Sequence, residues 1–345
     1  MARLTSRRQG ARGCLGLVCI IGIVGLVGCA APRAVTTRDA ASSRAVLRIG
    51  ADPFISSLAE EFSRVSQVEI RHTGLPGGAL PAAIQRNEVD LALVPANTAY
   101  FSYVEGAQSG VSPDDQLRVI SALQVTPFIL VVRPESGIRD VRGLRGHTIA
   151  RFGVLRPPSA APREPAAAQS PPPSAFDSMR VTELVLSAFG VLDEVRIVSG
   201  LTVDEITTGF RKGTLDAAYG TAYFLPEMFS ALTAAGARLV PIEGAEIDGL
   251  VQRFPFIRRT LVARDTYPGQ ASAVRTVGVD LLLVCRSGLD PDLVYDLTRQ
   301  YFASLPALLA ATHTVSRVDL ERAAATPIPL HDGAARYYRE SELYR

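Results

Sequence analysis

The stretch VEIRHTGLPGGALPAAIQRNEVDLALVP, residues 68–95, holds two strand patterns separated by a glycine-rich turn and a short helix. VEIRH and DLALVP are short runs rich in branched aliphatic residues, which predicts strands. TGLPGGA between them predicts a turn, and LPAAIQRN predicts a helix. A strand, a helix and a second strand at this spacing are typical of a parallel pair of strands. The stretch therefore predicts an α/β fold.

The same alternation begins upstream of this stretch. VLRIG (residues 46–50) predicts a first strand, and FISSLAEEFSRV (residues 54–65) predicts a helix. Strands that alternate with helices in this order favour a parallel sheet covered by helices on both faces. The apolar residues of the predicted helix share one face, as a helix packed on a sheet requires: Ile55, Leu58, Ala59, Phe62 and Val65.

A second series of strands and helices follows residue 140. DVRGLRGHTIARFG (residues 140–153) predicts a turn into a strand, and MRVTELVLSAFG (residues 179–190) predicts a helix with Gly190 as its C-cap. Thr202 and Glu205 form a capping-box pattern at the start of a further helix, which Gly213 ends. The strand patterns VRIVSG, LDAAYG and ARLVPI alternate with these helices. The sequence therefore predicts a second α/β lobe.

A proline-rich segment, RPPSAAPREPAAAQSPPPS (residues 156–174), interrupts this second lobe. Seven of its nineteen residues are proline, which excludes a helix interior or a central strand because proline lacks an amide hydrogen. A strand pattern precedes the segment and a helix pattern follows it. We therefore expect a mobile insertion within one lobe, not a linker between domains.

The N-terminus has the pattern of an export signal. MARLTSRRQGARG holds four arginines and no acid, and the apolar core CLGLVCIIGIVGLVG that follows is too short for a confident membrane span. Cys29 follows LVG, which is similar to the lipobox of bacterial lipoproteins and predicts a lipidated cysteine. An ordinary signal peptide or an uncleaved anchor is the alternative. Residues 30–45 are small and polar, which predicts a flexible tether.

The composition argues against several functional classes. Cleavage before Cys29 lowers the formal net charge from +2 to −2, and the mature part has no run of basic residues, which argues against nucleic-acid binding. The four histidines are scattered and no HExxH or CxxC motif occurs, so we expect no metal. The GxSxG, GxxxxGK[ST] and GxGxxG motifs are also absent. We therefore expect no cofactor and no catalytic activity.

Lys212 and Cys285 are the two remaining candidates for reactive chemistry. Lys212 is the sole lysine of the chain, and an enzyme that forms a Schiff base would have to use it. Its position at the end of a predicted helix favours a structural role, because a cation there interacts favourably with the helix dipole. Cys285 lies in the apolar run VDLLLVCRS and is expected to be a buried thiol without a disulfide partner.

Several segments of the chain carry a family resemblance. DTYPGQ (residues 265–270), VYDLTRQYFASLPALLAATH (294–313) and PLHDGAARYYRE (329–340) resemble the TAXI-type solute receptors of TRAP transporters. The last segment is similar to the family's terminal LHPGAxRYYRE, and DLALVPANTAY and GTLDAAYG match earlier parts. Within the terminal segment we expect structural roles, because a chain end needs contacts to be ordered: this applies to His331, Arg336, Tyr337 and Tyr338.

The resemblance implies a periplasmic-binding-protein fold of the type II-like kind, with two lobes, crossing strands and a central ligand cleft. It further implies a carboxylate or amino acid as the solute and an integral membrane TRAP permease as the partner. The expected organisation is a signal peptide (1–28), a tether (29–45), lobe 1 (46–140), lobe 2 (141–240) with the insert 156–174, and a return to lobe 1 with C-terminal helices (241–345).

Two groups of candidate ligand-binding residues lie at predicted strand ends, where open α/β sheets bind ligands. Arg151 ends the strand pattern TIAR and is the strongest candidate for pairing with a carboxylate, with a surface salt bridge as the alternative. Gly77 and Gly78 belong to a turn between a strand and a helix, which either contacts ligand or is plain structure.

The other candidates follow two further strand patterns. Asn97, Thr98 and Tyr100 could line the cleft, although asparagine and threonine are also favoured as helix N-caps. Tyr219 and Tyr223 flank Gly220 and are either cleft walls or core residues.

The chain also departs from the family pattern. Gly77 and Leu80 stand where the family has serine and asparagine, and Pro95 and Asn97 stand where it has glutamine and aspartate. Several polar ligand contacts are therefore missing. The alternatives to a transport receptor are a divergent binding protein that acts as a sensor for a membrane signalling partner, and an exported enzyme on a similar fold.

Overall fold

A computed structural model of the chain describes residues 46–52, 56–66, 69–75, 77–106, 114–151, 173–221, 226–311 and 322–341. The predicted signal peptide, the lipidation site Cys29 and the tether lie outside the described residues. Tyr223 and nearly all of the proline-rich segment also lie outside them.

Strands and helices alternate along the described chain. The strands are β1 (Val46–Ala51), β2 (Glu69–Gly74), β3 (Leu91–Pro95), β4 (Leu117–Val132), β5 (Thr148–Arg151), β6 (Arg196–Val198), β7 (Ala217–Thr221), β8 (Arg238–Leu239), β9 (Ile257–Val262) and β10 (Val274–Arg286). The helices are α1 (Ser56–Val65), α2 (Leu80–Gln85), α3 (Ala96–Glu105), α4 (Pro173–Ala188), α5 (Val203–Lys212), α6 (Pro226–Ala234), α7 (Ala245–Arg253), α8 (Pro291–Ala311) and α9 (Asp332–Glu340). None of these described helices is both long enough and apolar enough to cross a membrane.

The strands form one hydrogen-bonded path in the order β2-β1-β3-β10-β4-β7-β5-β6, with β8 beside β4 and β9 beside β10. β1 pairs in parallel with β2 and β3, and β5 pairs in parallel with β6 and β7. β4 and β10 run antiparallel to their neighbours. The parallel pairing predicted from the alternation of strands and helices is therefore confirmed within each group of strands.

The two long strands connect the two groups. Residues 117–127 of β4 pair with β10, whereas residues 128–132 pair with β7. We call β1–β3 the first sheet half and β5–β8 the second sheet half. Because β10 pairs with β3 and with β4, and β4 pairs with β7, these two strands link the sheet halves, and the chain has the α/β, two-lobed architecture that the resemblance implied.

The pairing of β4 with β10 requires a glycine at the crossing. A Cβ atom at Gly278 would lie 2.6 Å from the carbonyl oxygen of Thr126 and 2.8 Å from Cγ1 of Val125. The first of these atoms is backbone and cannot move without shifting the strand. The absence of a side chain at Gly278 thus permits the close approach of the two crossing strands.

The ends of α5 are stabilised as the sequence predicts. The side chain of Thr202 accepts a hydrogen bond from the backbone N–H of Glu205 at 3.2 Å, and the Glu205 carboxylate accepts one from the backbone N–H of Thr202 at 2.7 Å. Gly213 follows the helix with a left-handed φ of 70°. Gly190, after α4, has φ 64°. These geometries confirm the predicted capping box and both glycine stops.

The buried side chains form a continuous core across both sheet halves. One cluster contains Leu80 of α2, Val181 of α4 and Tyr219 of β7. Cys285 is fully buried in β10, as predicted, and its burial raises the pKa of its thiol well above the usual value. A thiol in this environment stays protonated and is a poor nucleophile.

The C-terminal segment is fastened to β4. Tyr338 of α9 is fully buried, and its hydroxyl donates a hydrogen bond to the carbonyl of Ile120 at 3.0 Å. His331 caps the same helix, because its Nδ1 accepts the N–H of Gly333 at 3.2 Å while Nε2 lies 3.1 Å from the carbonyl oxygen of Ser287. The structural role predicted for His331 and Tyr338 is confirmed by these contacts.

The cap made by His331 predicts a loss of stability in mild acid. Burial lowers the pKa of His331 below its ordinary value, with hydrogen bonding to Ser287 and the charge of Asp332 acting in the opposite direction. In the unfolded chain the pKa of a histidine is about 6.5. The unfolded chain therefore binds the proton more readily than the folded protein. The stabilisation is complete above that pH and is lost as the pH falls towards the folded-state pKa.

We expect His331→Asn to keep the cap, since asparagine is a good N-cap residue, and to reduce this acid sensitivity. The free energy of unfolding in urea, measured at pH 7 and pH 5, should fall less in the variant than in the parent protein. His72→Asn, at an exposed histidine, is the control. An identical fall in the parent and in His331→Asn would contradict the prediction.

Candidate functional site

Three buried polar side chains lie together at the carboxyl ends of β5 and β7. Arg151 pairs in register with Tyr219, so both side chains lie on the same face of the parallel sheet. Thr221, two residues after Tyr219 in β7, lies on that face as well. Their exposed fractions are 6% for Arg151, 3% for Tyr219 and 8% for Thr221. We call these three residues the arginine site.

Two residues of the arginine site have a buried polar atom without a hydrogen-bond partner among the described residues. These atoms are Nε of Arg151 and Oγ1 of Thr221, whereas the hydroxyl of Tyr219 interacts with the side chain of Thr182 in α4. A buried polar group left in this state costs free energy of about 1–3 kcal/mol. Two such groups on one face of the sheet, beside a further buried hydroxyl, mark a candidate binding site.

The electrostatics identify Arg151 as a buried positive charge. Burial lowers the pKa of Arg151, and the charge of Glu183 on α4 acts in the opposite direction. A guanidinium nevertheless stays charged in proteins. Burial raises the pKa of Tyr219 far above its usual value, so its hydroxyl remains a neutral donor. The arginine site thus offers one cation and two hydroxyl groups.

Apolar residues and α4 enclose the arginine site. The ring of Phe128 in β4 stacks on Tyr219 with centroids 5.7 Å apart, and Val181 and Val185 of α4 belong to the same buried cluster. This low-polarity environment strengthens any ionic contact that Arg151 makes. It also lowers the chance that water alone satisfies the guanidinium.

Helix α4 is held against the first sheet half by an ion pair. Arg180 donates to both carboxylate oxygens of Glu105 in α3, at 2.7 and 3.0 Å. The Arg180 guanidinium also lies 3.6 Å from the ring centroid of Phe101. The pair holds the pKa of Glu105 below its usual range. These contacts tie an element of the second sheet half, which covers the arginine site, to a helix of the first.

The glycine turn of the first sheet half also reaches α4. Gly77 and Gly78 form the start of a short 3-10 helix, Gly77–Ala79, which packs against α4. The turn therefore lies beside the helix that covers the arginine site. Whether either glycine contacts a ligand stays a prediction.

Three candidates lie in α3: Asn97, Thr98 and Tyr100. Neither Asn97 nor Thr98 is the N-cap of this helix, which was one of the two interpretations of the sequence. Pro95, not Asn97 or Thr98, holds the N-cap position of α3 and makes no side-chain cap. Asn97 and Thr98 lie in the first turn and are buried, so the N-cap interpretation is wrong for both. Proline fits the cap because its fixed φ and missing N–H are tolerated at a helix start. Tyr100 packs between aromatic rings, 5.2 Å from Phe256.

The sequence missed Thr221 as a member of the arginine site. The signal was available, because alternation along a strand places residues 219 and 221 on one face. Tyr223 lies outside the described residues. Lys212 is exposed at the end of α5, which agrees with its predicted position at a helix end.

The arginine site has the chemistry of an oxyanion receptor. A guanidinium and hydroxyl donors on one face can hold a carboxylate through charge-assisted hydrogen bonds. Within the described ranges, no group of three or more histidine, cysteine or acidic residues is placed to hold a metal ion. The three residues of the arginine site include no carboxylate and no imidazole, and among the described residues the Glu183 carboxylate of α4 is the charge that acts on Arg151.

Part of the chain matches a known family. The sequence model of the NMT1-like family matches residues 170–341 of this chain. The matched part begins just before α4 and ends after α9, so it includes α4, β7 and the crossing strand β10.

Comparison with solved structures gives matches of low sequence identity. The alkanesulfonate-binding protein SsuA from Xanthomonas axonopodis pv. citri, bound to MOPS, is 17% identical, with 86% of this chain and 83% of that chain covered and a TM-score of 0.41. The VFT2 domain of BvgS from Bordetella pertussis is 13% identical, with 79% and 93% covered and a TM-score of 0.44. A Xanthomonas citri protein bound to ATP is 14% identical, with 86% and 94% covered and a TM-score of 0.45.

The unpaired charge of Arg151 predicts an unusual response to mutation. Replacing Arg151 with methionine removes a buried charge that no described carboxylate hydrogen-bonds, and methionine fills similar space. We expect Arg151→Met to raise the unfolding free energy of the ligand-free protein by about 1–4 kcal/mol. Urea denaturation monitored by circular dichroism measures this change.

Arg48→Met is the matched control. Arg48 in β1 forms a bidentate pair with the buried Asp90, with donor–acceptor distances of 3.0 Å, so its removal should lower the unfolding free energy. A loss of stability in Arg151→Met equal to that in Arg48→Met would show that Arg151 is a structural cation.

Proposed function

We propose that this chain is an extracytoplasmic solute-binding protein, without catalytic activity, that captures a small carboxylate and delivers it to a TRAP-type membrane permease. The observation that supports this most directly is the arginine site. It combines a buried guanidinium whose Nε has no described partner with the hydroxyls of Tyr219 and Thr221, of which the second also has no described partner.

The charge of the site favours an anionic solute. A neutral ligand would leave the buried Arg151 charge with the charge of Glu183 as its described compensation, without a hydrogen-bonded anion, which is unfavourable. A carboxylate can accept from Arg151 with one oxygen and from a hydroxyl with the other, so that one group relieves several unpaired donors. Amino acids, dicarboxylates and oxo-acids all carry such a group.

The architecture favours binding by closure. The arginine site belongs to the second sheet half, whereas the glycine turn and α3 belong to the first, and only β4 and β10 link the two groups of strands in the sheet. In proteins of this design, bending at the crossing strands opens and closes the cleft. The Arg180–Glu105 pair is about half exposed, so it adds little energy and can break as the lobes part.

The proposed location and partner rest on the sequence. The basic and apolar N-terminus with Cys29 supports export and lipid anchoring. The terminal segment PLHDGAARYYRE supports the TRAP-type partner through its resemblance to the TAXI receptors.

The proposal predicts a ligand that depends on Arg151. At least one of glutamate, succinate and 2-oxoglutarate should raise the melting temperature of the full chain, since a ligand that binds the folded state stabilises it. Arg151→Gln should lower the affinity for that ligand about 10- to 150-fold, which corresponds to the loss of a hydrogen bond to a charged group. Titration calorimetry measures the affinity, and uptake of the radiolabelled ligand by cells should fall in parallel.

Arg145→Gln is the control for this experiment. Arg145 is also an arginine of the second sheet half, but it is exposed and pairs with Glu194, so its loss should leave the affinity unchanged. The proposed solute class would be refuted if none of the three carboxylates raised the melting temperature of the parent protein. It would also be refuted if Arg151→Gln bound the ligand as tightly as the parent protein.

Lipid anchoring is tested separately through Cys29. Export of Cys29→Ala without lipidation should move the protein from the membrane fraction to the soluble fraction, because the thioether-linked lipid can no longer form. Immunoblots of the two fractions measure this distribution. Retention of Cys29→Ala in the membrane fraction would indicate that the apolar segment itself is the anchor.

A further inference from the structure

A second concave site lies at the opposite end of the second sheet half. It is a cavity of about 390 Å³ between the end of β4, the C-terminal end of α5 and the segment after α6. We call it the distal pocket. Its size falls within the range of small-molecule sites in proteins, which begins at roughly 300 Å³.

The distal pocket is remote from the arginine site. Arg133 directly follows Val132, which pairs with Ala217 at the amino end of β7. Thr221 of the arginine site lies at the carboxyl end of the same strand. Four residues of strand separate the two ends by about 13 Å. A ligand in one site therefore leaves the other accessible.

The floor of the distal pocket is apolar. Phe210 and Leu232 are buried side chains that line it, together with the buried Ala237. The rim is basic, with Arg133, Arg211 and Lys212. An apolar floor with a few charged groups at the rim is the usual composition of a site for an amphipathic small molecule.

Arg133 has donor capacity that its neighbours do not use. Its Nη2 donates to Asp216 at 2.9 Å, but its Nη1 lies 3.6 Å from the exposed Glu135, beyond hydrogen-bond distance. The buried Nε has no partner among the described residues. Gly213 packs close to this guanidinium, since a Cβ there would lie 3.7 Å from Cζ of Arg133.

Asp216 neutralises only Arg133. Its burial acts to raise its pKa, but hydrogen bonds from the N–H of Thr148, from Arg133 and from His147 together hold the pKa below the usual value. Its two oxygens are therefore occupied. Across the described ranges, Arg211 and Lys212 form no ion pair, and Arg211 contacts only the hydroxyl of Thr208 at 3.3 Å. With Glu135 included, the distal pocket keeps an excess of one positive charge.

The two cations on α5 also stabilise the end of that helix. This role accounts for Arg211 and Lys212 as helix residues, but it accounts neither for the unpaired Nε of Arg133 nor for the cavity beside it. We propose that the distal pocket binds an organic monoanion with an apolar body, such as an aromatic carboxylate. Its anionic group contacts Arg133 and Lys212, and its apolar part covers Phe210 and Leu232.

Lys212 makes the test specific, because it is the sole lysine of the chain. The full chain is treated with N-hydroxysuccinimide acetate, and acetylation of Lys212 is followed by peptide mass spectrometry, which separates it from the terminal amine. Benzoate at ten times its dissociation constant should slow acetylation of Lys212 about tenfold. Benzamide, which has nearly the same shape and no charge, should not protect Lys212 at the same concentration.

Variants separate this site from the arginine site. Arg151→Gln should keep the protection of Lys212 by benzoate, whether or not the arginine site binds a carboxylate. Arg211→Gln removes one exposed cation of the rim and should lower the affinity for benzoate about two- to fivefold, as measured by calorimetry. Arg145→Gln should leave this affinity unchanged. Absence of protection by benzoate, equal protection by benzamide, or loss of protection in Arg151→Gln would each overturn the proposal.

Discussion

The close pairing of β4 with β10 at Gly278 is the contact on which the two-lobed arrangement depends. A side-chain carbon at Gly278 would lie 2.6 Å from the carbonyl oxygen of Thr126, closer than carbon and oxygen can approach. Because this position is glycine, the two long strands run side by side between the two sheet halves. The parallel strands β5 and β7 belong to this sheet, and their carboxyl ends lie side by side. The C-terminal helix depends on the same strand, since Tyr338 is fastened to Ile120 of β4.

The arginine site is locally unfavourable for folding. The buried guanidinium of Arg151 and the buried hydroxyl of Thr221 have atoms without partners among the described residues, beside a mainly apolar cluster. Two buried carboxylates elsewhere are paired with arginines, Asp90 with Arg48 and Asp280 with Arg258, although Oδ2 of the buried Asp114 also lacks a partner among the described residues. Proteins retain such unpaired groups where a function requires them. The contrast between Arg151 and these two pairs therefore supports its assignment to solute binding.

The second sheet half carries different chemistry at its two ends. At the carboxyl ends of β5 and β7 the polar groups are buried and enclosed by α4, which favours a ligand that is desolvated completely. At the amino end of β7 the cations of the distal pocket are mostly exposed, which favours weaker and salt-dependent binding. The short parallel strands β5 and β7 lie between the arginine site and the distal pocket. Each end can therefore be changed by mutation without altering the other.

The sequence by itself determined the local structure: the order of strands and helices, the capping box at Thr202, the glycine stop at Gly213 and the burial of Cys285. It also placed Arg151 and Tyr219 at strand ends, because strand patterns and their alternation depend on neighbouring residues. Only the tertiary structure decided that Arg151 lies beside Tyr219, that Phe128 stacks on Tyr219, and that the distal pocket forms from three distant segments. Lateral strand pairing joins residues far apart in the chain, and their partners depend on packing that no local pattern encodes.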